Sequence, residues 1–261
     1  MKKFLKVFIT SIAALSLLVS CEESKKVDNK TMTEEKEATE EKRDINDLVT
    51  IKEIVNKEGI SPNGEKVRYV YEAPIIHIDK PGAKRVNETF LNLIKDLEER
   101  MDDGQLIPLS VSSKAYLNDG IISVVMDTNK TGPEGIYAVN YEIDNDQEIS
   151  TKDLLENYQF DPQRLIAEIN RQVEINGSKP ETEQDFFGID YFADTIITNS
   201  SDFPSQDEYL KKLDEIQKKT MEEKERFVVE NIDKIKAYLN QDGKFVFIHR
   251  AALSDEELIV E

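Results

Sequence analysis

Apolar and polar residues alternate along two neighbouring stretches near the start of the folded region. The first runs from Lys66 to Tyr71 and the second from Pro74 to Ile78. A period of two places successive side chains on opposite faces, which predicts two strands interrupted at Pro74. Pro81-Gly82 then opens a segment with apolar residues at every third or fourth position, which predicts a helix that stops at Asp103-Gly104. The apolar stripe of this helix consists of Val86, Phe90, Leu93, Ile94, Leu97 and Met101.

The same patterns predict three further strands and a second helix. The strands are Leu109 to Leu117, Ile121 to Asp127 and Ile136 to Ile143. Asn118-Asp119-Gly120 joins the first two and predicts a hairpin, because Asp-Gly accepts positive φ. The second helix is predicted to begin at Asp161-Pro162 and to end at Asn176-Gly177. Its predicted inward residues are Leu165, Ile166, Ile169 and Val173.

The segment from Ser205 to Asn240 contains neither Gly nor Pro and predicts one long helix. Acidic residues precede basic residues by four positions several times, as in Asp214/Lys218 and Glu222/Arg226. Each such pair contributes roughly 0.2–0.5 kcal/mol to a helix. Gly243 is predicted to end this helix, and Lys244 to Ile248 then supplies a last strand.

Strands and helices are segregated along the chain rather than alternating. This order predicts the α+β class, with an antiparallel sheet packed against helices, one long C-terminal helix and a last strand. We expect residues 45–261 to form a single domain, which is an ordinary size for one.

The N-terminus has the pattern of an export signal. Three lysines within Met1 to Lys6 precede an apolar run from Val7 to Val19. This run is too short to span a bilayer, which takes a helix of about 20 residues. The run ends in Leu18-Val19-Ser20-Cys21, which resembles the bacterial lipobox. This resemblance predicts removal of residues 1–20, attachment of lipid to Cys21 and a location on the cell membrane facing outside the cytoplasm. The alternative is an uncleaved signal anchor with an incidental cysteine.

Residues 22–44 are almost entirely polar, with Val27, Met32 and Ala38 as their only apolar side chains. Burial of so few apolar side chains does not compensate for the conformational entropy that the segment would lose on folding. The segment is therefore predicted to be a disordered tether.

Composition excludes several kinds of protein. The 261 residues carry 53 Asp and Glu against 34 Lys and Arg, a net charge of -19, and this excludes a nucleic-acid-coating role because phosphate binding needs basic clusters. A single Cys excludes both a disulfide framework and a cysteine zinc site. The acidic run from Glu142 to Glu148 superficially resembles a calcium loop, but Ile149 and Leu155 occupy the positions where an EF-hand needs Gly and Glu. We therefore expect no metal and no cofactor.

The sequence shows no recognisable catalytic motif. His77 and His249 are the only histidines, and no nucleophile elbow or metalloprotease motif accompanies them. A hydrolase that uses a pair of carboxylates remains an alternative, because 53 acids make every pairing compatible with the sequence.

A segment rich in aromatic and acidic residues, Glu181 to Pro204, is the most distinctive candidate for a binding site. It lies between two predicted helices. The longer stretch from Glu142 to Asp202 contains 15 acidic and four basic residues. One hypothesis is that the aromatics anchor, and the acids steer, a basic protein partner. The other is that the aromatics pack beneath a loop with a solvated acidic rim. The residues concerned are Asp185, Phe186, Phe187, Asp190, Tyr191, Phe192 and Asp194.

The central strands carry a resemblance to a known family. The residues are Asp119 to Val124, then Val139 to Ile143, then Glu148 to Leu155 with its Ile149-Ser150 and Asp153-Leu154-Leu155. This pattern, covering Val67 to Val173, is similar to extracytoplasmic α+β domains of unknown function in lysozyme-sensing anti-sigma factors and in some peptidoglycan deacetylases. The resemblance implies a module that senses or binds an envelope component or a basic, lysozyme-like protein. The alternative is an envelope enzyme with an unrecognised carboxylate site.

Overall fold

The computed structural model describes residues 43–61, 63–103, 108–128, 135–184, 187–199, 205–251 and 254–261. The lipobox, Cys21 and residues 22–42 of the predicted tether lie outside these residues, so the predictions about them stay predictions. The last tether residue, Asp44, is instead ordered, since its side chain caps α1. The chain from residue 42 onwards forms one compact unit. Within the described residues, no helix combines the length and the apolar character needed to cross a membrane.

A six-stranded sheet occupies the first half of this unit. After a single helical turn, α1 (Ile45–Leu48), its strands follow one another in space as in sequence. They are β1 (Val49–Ile60), β2 (Lys66–Ile76), β3 (Ser110–Asn118), β4 (Ile121–Asp127), β5 (Ile136–Glu142) and β6 (Gln147–Ile149). The α+β prediction is confirmed, but the sheet is mixed rather than antiparallel. The pair β2–β3 is parallel because a helix connects the two strands and carries the chain back to the same end of the sheet.

The predicted break at Pro74 is wrong, since β2 continues through it to Ile76. The N–H of Val70 and the C=O of Glu72 point towards β3, where they bond Leu109 and Ser113. The nitrogen of Pro74 points the same way because alternate residues share a direction. The described β2–β3 pairing covers only Val70 and Tyr71, so Pro74 forfeits no bond of the ladder.

The helix α2 (Pro81–Asp102) covers one face of this sheet and matches the predicted helix. Its buried side chains are Ala83, Val86, Phe90, Ile94 and Leu97. The Asp146 carboxylate, in the β5–β6 turn, accepts hydrogen bonds from the Gly82 N–H at 2.9 Å and the Tyr141 hydroxyl at 2.8 Å. A Cβ on Gly82 would lie 2.3 Å from the Asp146 carbonyl oxygen, so only glycine fits this junction.

The predicted hairpin between β3 and β4 is confirmed. Asp119 and Gly120 both have positive φ, 46° and 79°, as a tight two-residue turn with the twist of the flanking strands requires.

Helices dominate the second half, and a three-stranded antiparallel sheet completes it. The helices are α3 (Thr151–Asn157), α4 (Pro162–Gly177), α5 (Ile189–Asn199), α6 (Gln206–Gln217) and α7 (Met221–Glu230). The strands, in spatial order, are β7 (Ala237–Leu239), β8 (Phe245–Ala251) and β9 (Ser254–Val260). The α4 prediction is confirmed in its bounds, although Val173 is exposed rather than inward.

The prediction of one long C-terminal helix is wrong. The chain ends α6 after Gln217 and restarts at Thr220, whose hydroxyl and backbone exchange bonds with Glu223 in a capping box. Ile216 and Val228 are the buried residues of the two helices, and in one straight helix they would lie about 120° apart. The break allows both to reach the same core.

The last part of the predicted helix is in fact the strand β7, and polar side chains of the larger sheet hold its outer edge. The Leu239 N–H donates to Ser123 Oγ at 3.3 Å, and Asn140 Nδ2 donates to the Ala237 carbonyl at 2.8 Å. The Ala237 N–H donates to Thr151 Oγ1 at 3.2 Å. Ser123 and Asn140 also bond each other at 2.7 Å and are buried. These side chains replace the strand that would otherwise pair with β7.

Candidate functional site

The predicted partner-binding residues gather around α5, a helix within the segment that the sequence places between two predicted helices. Asp185 and Phe186 lie outside the described residues, as does the candidate lipid site Cys21. The others lie on α5 or two residues before it. Helix α5 is a core helix with Ile189, Phe192, Ala193, Thr195, Ile196 and Ile197 buried.

The aromatic residues of this set form a packed cluster with His249. Phe192 is 0% exposed, and its ring stacks on the His249 imidazole with centroids 4.4 Å apart. Phe187 is half-buried and meets both rings edge-on, at 6.1 Å and 5.2 Å. Phe192 is therefore a core residue and not a surface anchor. This agrees with the second of the two hypotheses, in which the aromatic residues are packed inside the domain.

The two acids of α5 hold it against its neighbouring helices. Asp190 Oδ1 lies 2.7 Å from Lys224 Nζ of α7, and Asp194 Oδ1 accepts a hydrogen bond of 2.6 Å from the Tyr209 hydroxyl of α6. Burial, and then the bond to Asp194, raises the pKa of Tyr209. Burial beside Asp190 likewise raises the pKa of Tyr191. Both carboxylates thus have partners within the domain, although Asp190 is exposed.

The described acids of the stretch from Glu142 to Asp202 belong to several elements of the fold. The stretch is distributed over β5, β6 and three helices, and several of its carboxylates have structural partners. Asp153 closes a capping box with Ser150 at the start of α3, and Asp161 caps α4. Hydrogen bonds from Ser150 hold the pKa of Asp153 below its usual range. These two acids stabilise helix starts.

The residues that carry the family resemblance have similarly structural contacts. Ser123 and Asn140 bind β7, Tyr141 binds Asp146, and Ser150 with Asp153 forms the capping box. The motif therefore describes how the two sheets and α3 are joined, and its residues line no cavity that we describe below.

An open groove of about 490 Å³ lies between α4 and β9, and we call it the α4–β9 groove. The side chains of α4 form one wall, and β9 with the turn after β7 forms the other. Its volume lies within the range of ligand sites. The residues that line the groove include Glu168, Arg171, Ile175, Phe187, Glu256 and Ile259.

An ion pair between a buried carboxylate and an exposed arginine lies in the α4 wall. The Glu168 side chain is only 9% exposed and accepts two bonds from Arg171, at 2.8 Å and 2.6 Å, and one from Gln172 at 2.9 Å. The bond from Arg171 outweighs the desolvation of the carboxylate and holds the pKa of Glu168 below its usual range. Glu168 is thus a fixed anion, whereas a general acid needs a raised pKa.

Glu261 also lines the groove and is held by two basic side chains. Its carboxylate lies 2.7 Å from Lys244 Nζ, and its carbonyl oxygen accepts from Arg164 Nε at 3.0 Å. The bond to Lys244 lowers the pKa of Glu261, and the same pair raises the pKa of Lys244.

Exposed apolar side chains lie on both walls. Ile175 of α4 is 43% exposed and Ile259 of β9 is 48% exposed. Phe187, half-buried, also lines the groove, so one predicted site residue does reach it. These exposed isoleucines lie among charged side chains and offer apolar contact to a bound segment.

Sequence reasoning missed the groove because it missed β9. The segment Ser254 to Val260 begins with acids, which are poor strand formers, and the available signal was the alternation of its last residues. Leu258 and Val260 point into the core while Ile259 points out.

Neither of the two histidines is among the residues that line the groove. The exposed His77 ring lies 2.8 Å from the Thr50 hydroxyl, and His249 packs in the aromatic cluster. In the described part of the chain, no group of three or more His, Cys, Asp or Glu side chains is arranged to hold a metal ion. The sequence matches no family model, and no curated protein matches it significantly.

Proposed function

We propose that this protein is a membrane-anchored extracytoplasmic lipoprotein whose folded domain binds or senses an envelope component or a basic, lysozyme-like protein. The lipobox at Leu18 to Cys21 and the resemblance of the central strands support this proposal. The observation that carries it is the α4–β9 groove, an open, largely charged site with exposed isoleucines on a chain of net charge -19.

The electrostatics of the domain favour a binding role over the enzymatic alternative. In the described residues, every carboxyl group with a shifted pKa is shifted down: Asp79, Asp146, Asp153, Glu168, Glu223 and Glu261. A carboxylate-based hydrolase needs one carboxyl with a raised pKa to protonate its leaving group. Ionised carboxylates instead attract a cationic partner and raise its association rate.

Binding of a basic protein can be measured directly. The full chain is captured on a biosensor and exposed to lysozyme at 0.01 M, 0.1 M and 1 M salt. We expect the association rate to fall steeply, because the Debye length shrinks from about 30 Å to about 3 Å over this range. Cytochrome c, basic but unrelated to the envelope, is the control for unspecific attraction. Equal binding of both proteins, or no binding at 0.01 M salt, would contradict the proposal.

Lipid attachment at Cys21 is tested separately. Mass spectrometry of the N-terminal peptide from membranes is expected to show a diacylglyceryl thioether, and Cys21→Ser is expected to abolish it and release the protein from the membrane. A free thiol on an uncleaved signal would contradict the anchor.

A further inference from the structure

Strand β9 lies at an edge of the three-stranded sheet, and the hydrogen bonds of β8 show which of its groups point outward. The Ile248 N–H donates to the Lys236 carbonyl, and the Lys244 carbonyl accepts from Asn240, so even-numbered residues of β8 bond the β7 side. The odd-numbered residues therefore bond β9, at their partners Leu258 and Val260. The N–H and C=O groups of the intervening β9 residues, Asp255, Glu257 and Ile259, point away from the sheet.

This outer edge is accessible along the groove. In the described part of the chain no strand pairs with it, since the strand order ends at β9. Glu257 as a whole residue is exposed, but its side chain is only 28% exposed. That side chain accepts a hydrogen bond from the Tyr238 hydroxyl and forms an ion pair with Lys114. Much of the exposed surface of Glu257 is therefore main chain. A row of unpaired N–H and C=O groups is a template for another strand.

The groove supplies the second wall that strand addition uses. Peptides that add to an edge strand gain main-chain bonds from the strand and side-chain contacts from a neighbouring pocket. Here α4 lies across the groove with Ile175 and Arg171, while Ile259 stands on the strand itself. An added strand would lie about 4.8 Å from β9, between that strand and α4.

The charge of β9 decides which strand fits. Residues 254–261 contain Asp255, Glu256, Glu257 and Glu261 and no base. Two copies of β9 would place like charges opposite each other, which is destabilising, whereas a basic strand would place opposite charges there. Glu256 lines the groove and makes no ion pair with any described residue, so it is available to a cation.

We propose that β9 accepts an extended, basic polypeptide segment as a fourth strand in the α4–β9 groove. This inference rests on the proposed function and names the mode in which that site holds its partner. Specificity comes from Glu256 and the two isoleucines, and the main-chain bonds of Glu257 and Ile259 hold the segment.

The probe is a seven-residue peptide of alternating lysine and valine, tested on the full chain by fluorescence anisotropy. Two isomers of it carry N-methyl groups, one on three valines and the other on three lysines. Only alternate N–H groups of an added strand face β9. We therefore expect one isomer to lose at least tenfold in affinity and the other to retain it. Equal affinities of the two isomers, or no binding of the parent peptide, would overturn the proposal.

Variants locate the site on the protein. Ile259→Pro removes an outward N–H and is tolerable at a sheet edge, so we expect at least tenfold weaker binding with an unchanged unfolding midpoint. Glu256→Lys is expected to weaken binding several-fold, and Glu88→Lys, an exposed charge reversal on α2, is the matched control. Unchanged binding in Glu256→Lys, or an equal loss in Glu88→Lys, would overturn the proposal.

Amide hydrogen exchange on the unmodified protein remains decisive should Ile259→Pro fail to fold. Bound peptide is expected to slow exchange at Glu257 and Ile259 at least tenfold and to leave Leu258, which already bonds β8, nearly unchanged. No added protection at Glu257 and Ile259 would overturn the proposal, as would a dimer that exists without peptide through the same edge. If lysozyme binds but the peptide isomers do not differ, strand addition fails and the proposed function stands. If the isomers differ but no envelope protein binds, the proposed function fails.

Discussion

The long helix α2 of the first half and the helices of the second half fix their starts by different means, whereas the short α1 has a local cap at Asp44. In the first turn of α2, the Gly82 N–H donates to the carboxylate of Asp146, 64 residues further along the chain. In the second half, each capped helix uses the residue directly before it: Ser150, Asp161, Ser205 and Thr220. Local caps can form as soon as a helix does, whereas the bond to Asp146 exists only in the folded domain.

The halves also differ in what their cores contain. The first core packs the apolar stripe of α2, which includes Phe90, on the six-stranded sheet, together with Tyr141 and Tyr71, whose hydroxyls donate to Asp146 and to the Pro108 carbonyl. The second core contains an aromatic cluster in which Phe192, Phe187 and His249 contact one another, while Phe160 packs on Phe245 and Phe247. Both cores therefore contain large, fully buried rings, and the first half depends in addition on one backbone junction at Gly82.

The largest effect is expected from the aromatic cluster. Phe192→Ala removes a fully buried ring and should lower the free energy of unfolding by about 3–5 kcal/mol. Leu210→Ala, on the exposed face of α6, is the control and should change it by less than about 0.5 kcal/mol. Urea unfolding followed by circular dichroism measures both. Near-wild-type stability in Phe192→Ala would mean that the ring is not a core residue, and would return it to the candidate partner anchors.

This comparison also explains which elements the sequence could predict. The bounds of α2, α4 and the Asp119-Gly120 hairpin follow from Pro, Gly and Asp at their ends, because these residues act through their own backbone geometry. The break at Thr220 was missed although its capping box, Thr220 with Glu223, is local. The acid–base pairs spaced four residues apart indicate a continuous helix, and this signal is stronger than the signal of the capping box.

Tertiary contacts decided the remaining elements and the site. Residues 237–239 form a strand because Ser123, Asn140 and Thr151 bond their backbone from elsewhere in the chain. Helix α5 was missed because its aromatics and acids suggested a surface, and only packing against β8 reveals it as core. The groove needs α4 and β9, some 90 residues apart, to lie side by side, which no local pattern expresses.

The junction of the first half can be broken with one methyl group. In Gly82→Ala the new Cβ would meet the Asp146 carbonyl, and overpacking of this kind costs about 1–3 kcal/mol of stability. Gly177→Ala, at the end of α4, meets no atom within 4 Å and should instead stabilise by roughly 0.4–1 kcal/mol. Thermal unfolding of the two variants should shift in opposite directions. Equal shifts would mean that the α2 start tolerates a side chain.

A smaller effect is expected from a local cap of the second half. Thr220→Ala removes the hydroxyl that accepts the Glu223 N–H, and N-cap losses of this kind cost about 1 kcal/mol. Thr220→Ser keeps the hydroxyl and should stay close to the wild type in urea unfolding. If Thr220→Ala were neutral, the break between α6 and α7 would owe its stability to the packing of Ile216 and Val228 alone.

The smallest effect at neutral pH is expected at Asp146, where Asp146→Asn keeps an oxygen that can accept from Gly82 and Tyr141. The two proteins should nevertheless diverge in their dependence on pH. Desolvation opposes ionisation of Asp146, but hydrogen bonds from Tyr141, Gly82 and Ala83, with Lys80 nearby, outweigh it and lower its pKa below the ordinary value of 3.8. The folded state thus binds this proton less readily than the unfolded chain does.

The stabilisation is therefore present above about pH 4 and is lost as the pH falls through the lowered pKa of the folded state. Urea midpoints measured from pH 7 to pH 3 should fall more steeply for the wild type than for Asp146→Asn, so that the two curves converge in acid. Asp144→Asn, which alters an exposed carboxyl in the same turn, is the matched control and should follow the wild-type slope. Parallel curves for Asp146→Asn and the wild type would mean that α2 does not depend on the charge of this distant carboxylate. Its start would then be fixed by the close fit of Gly82 alone.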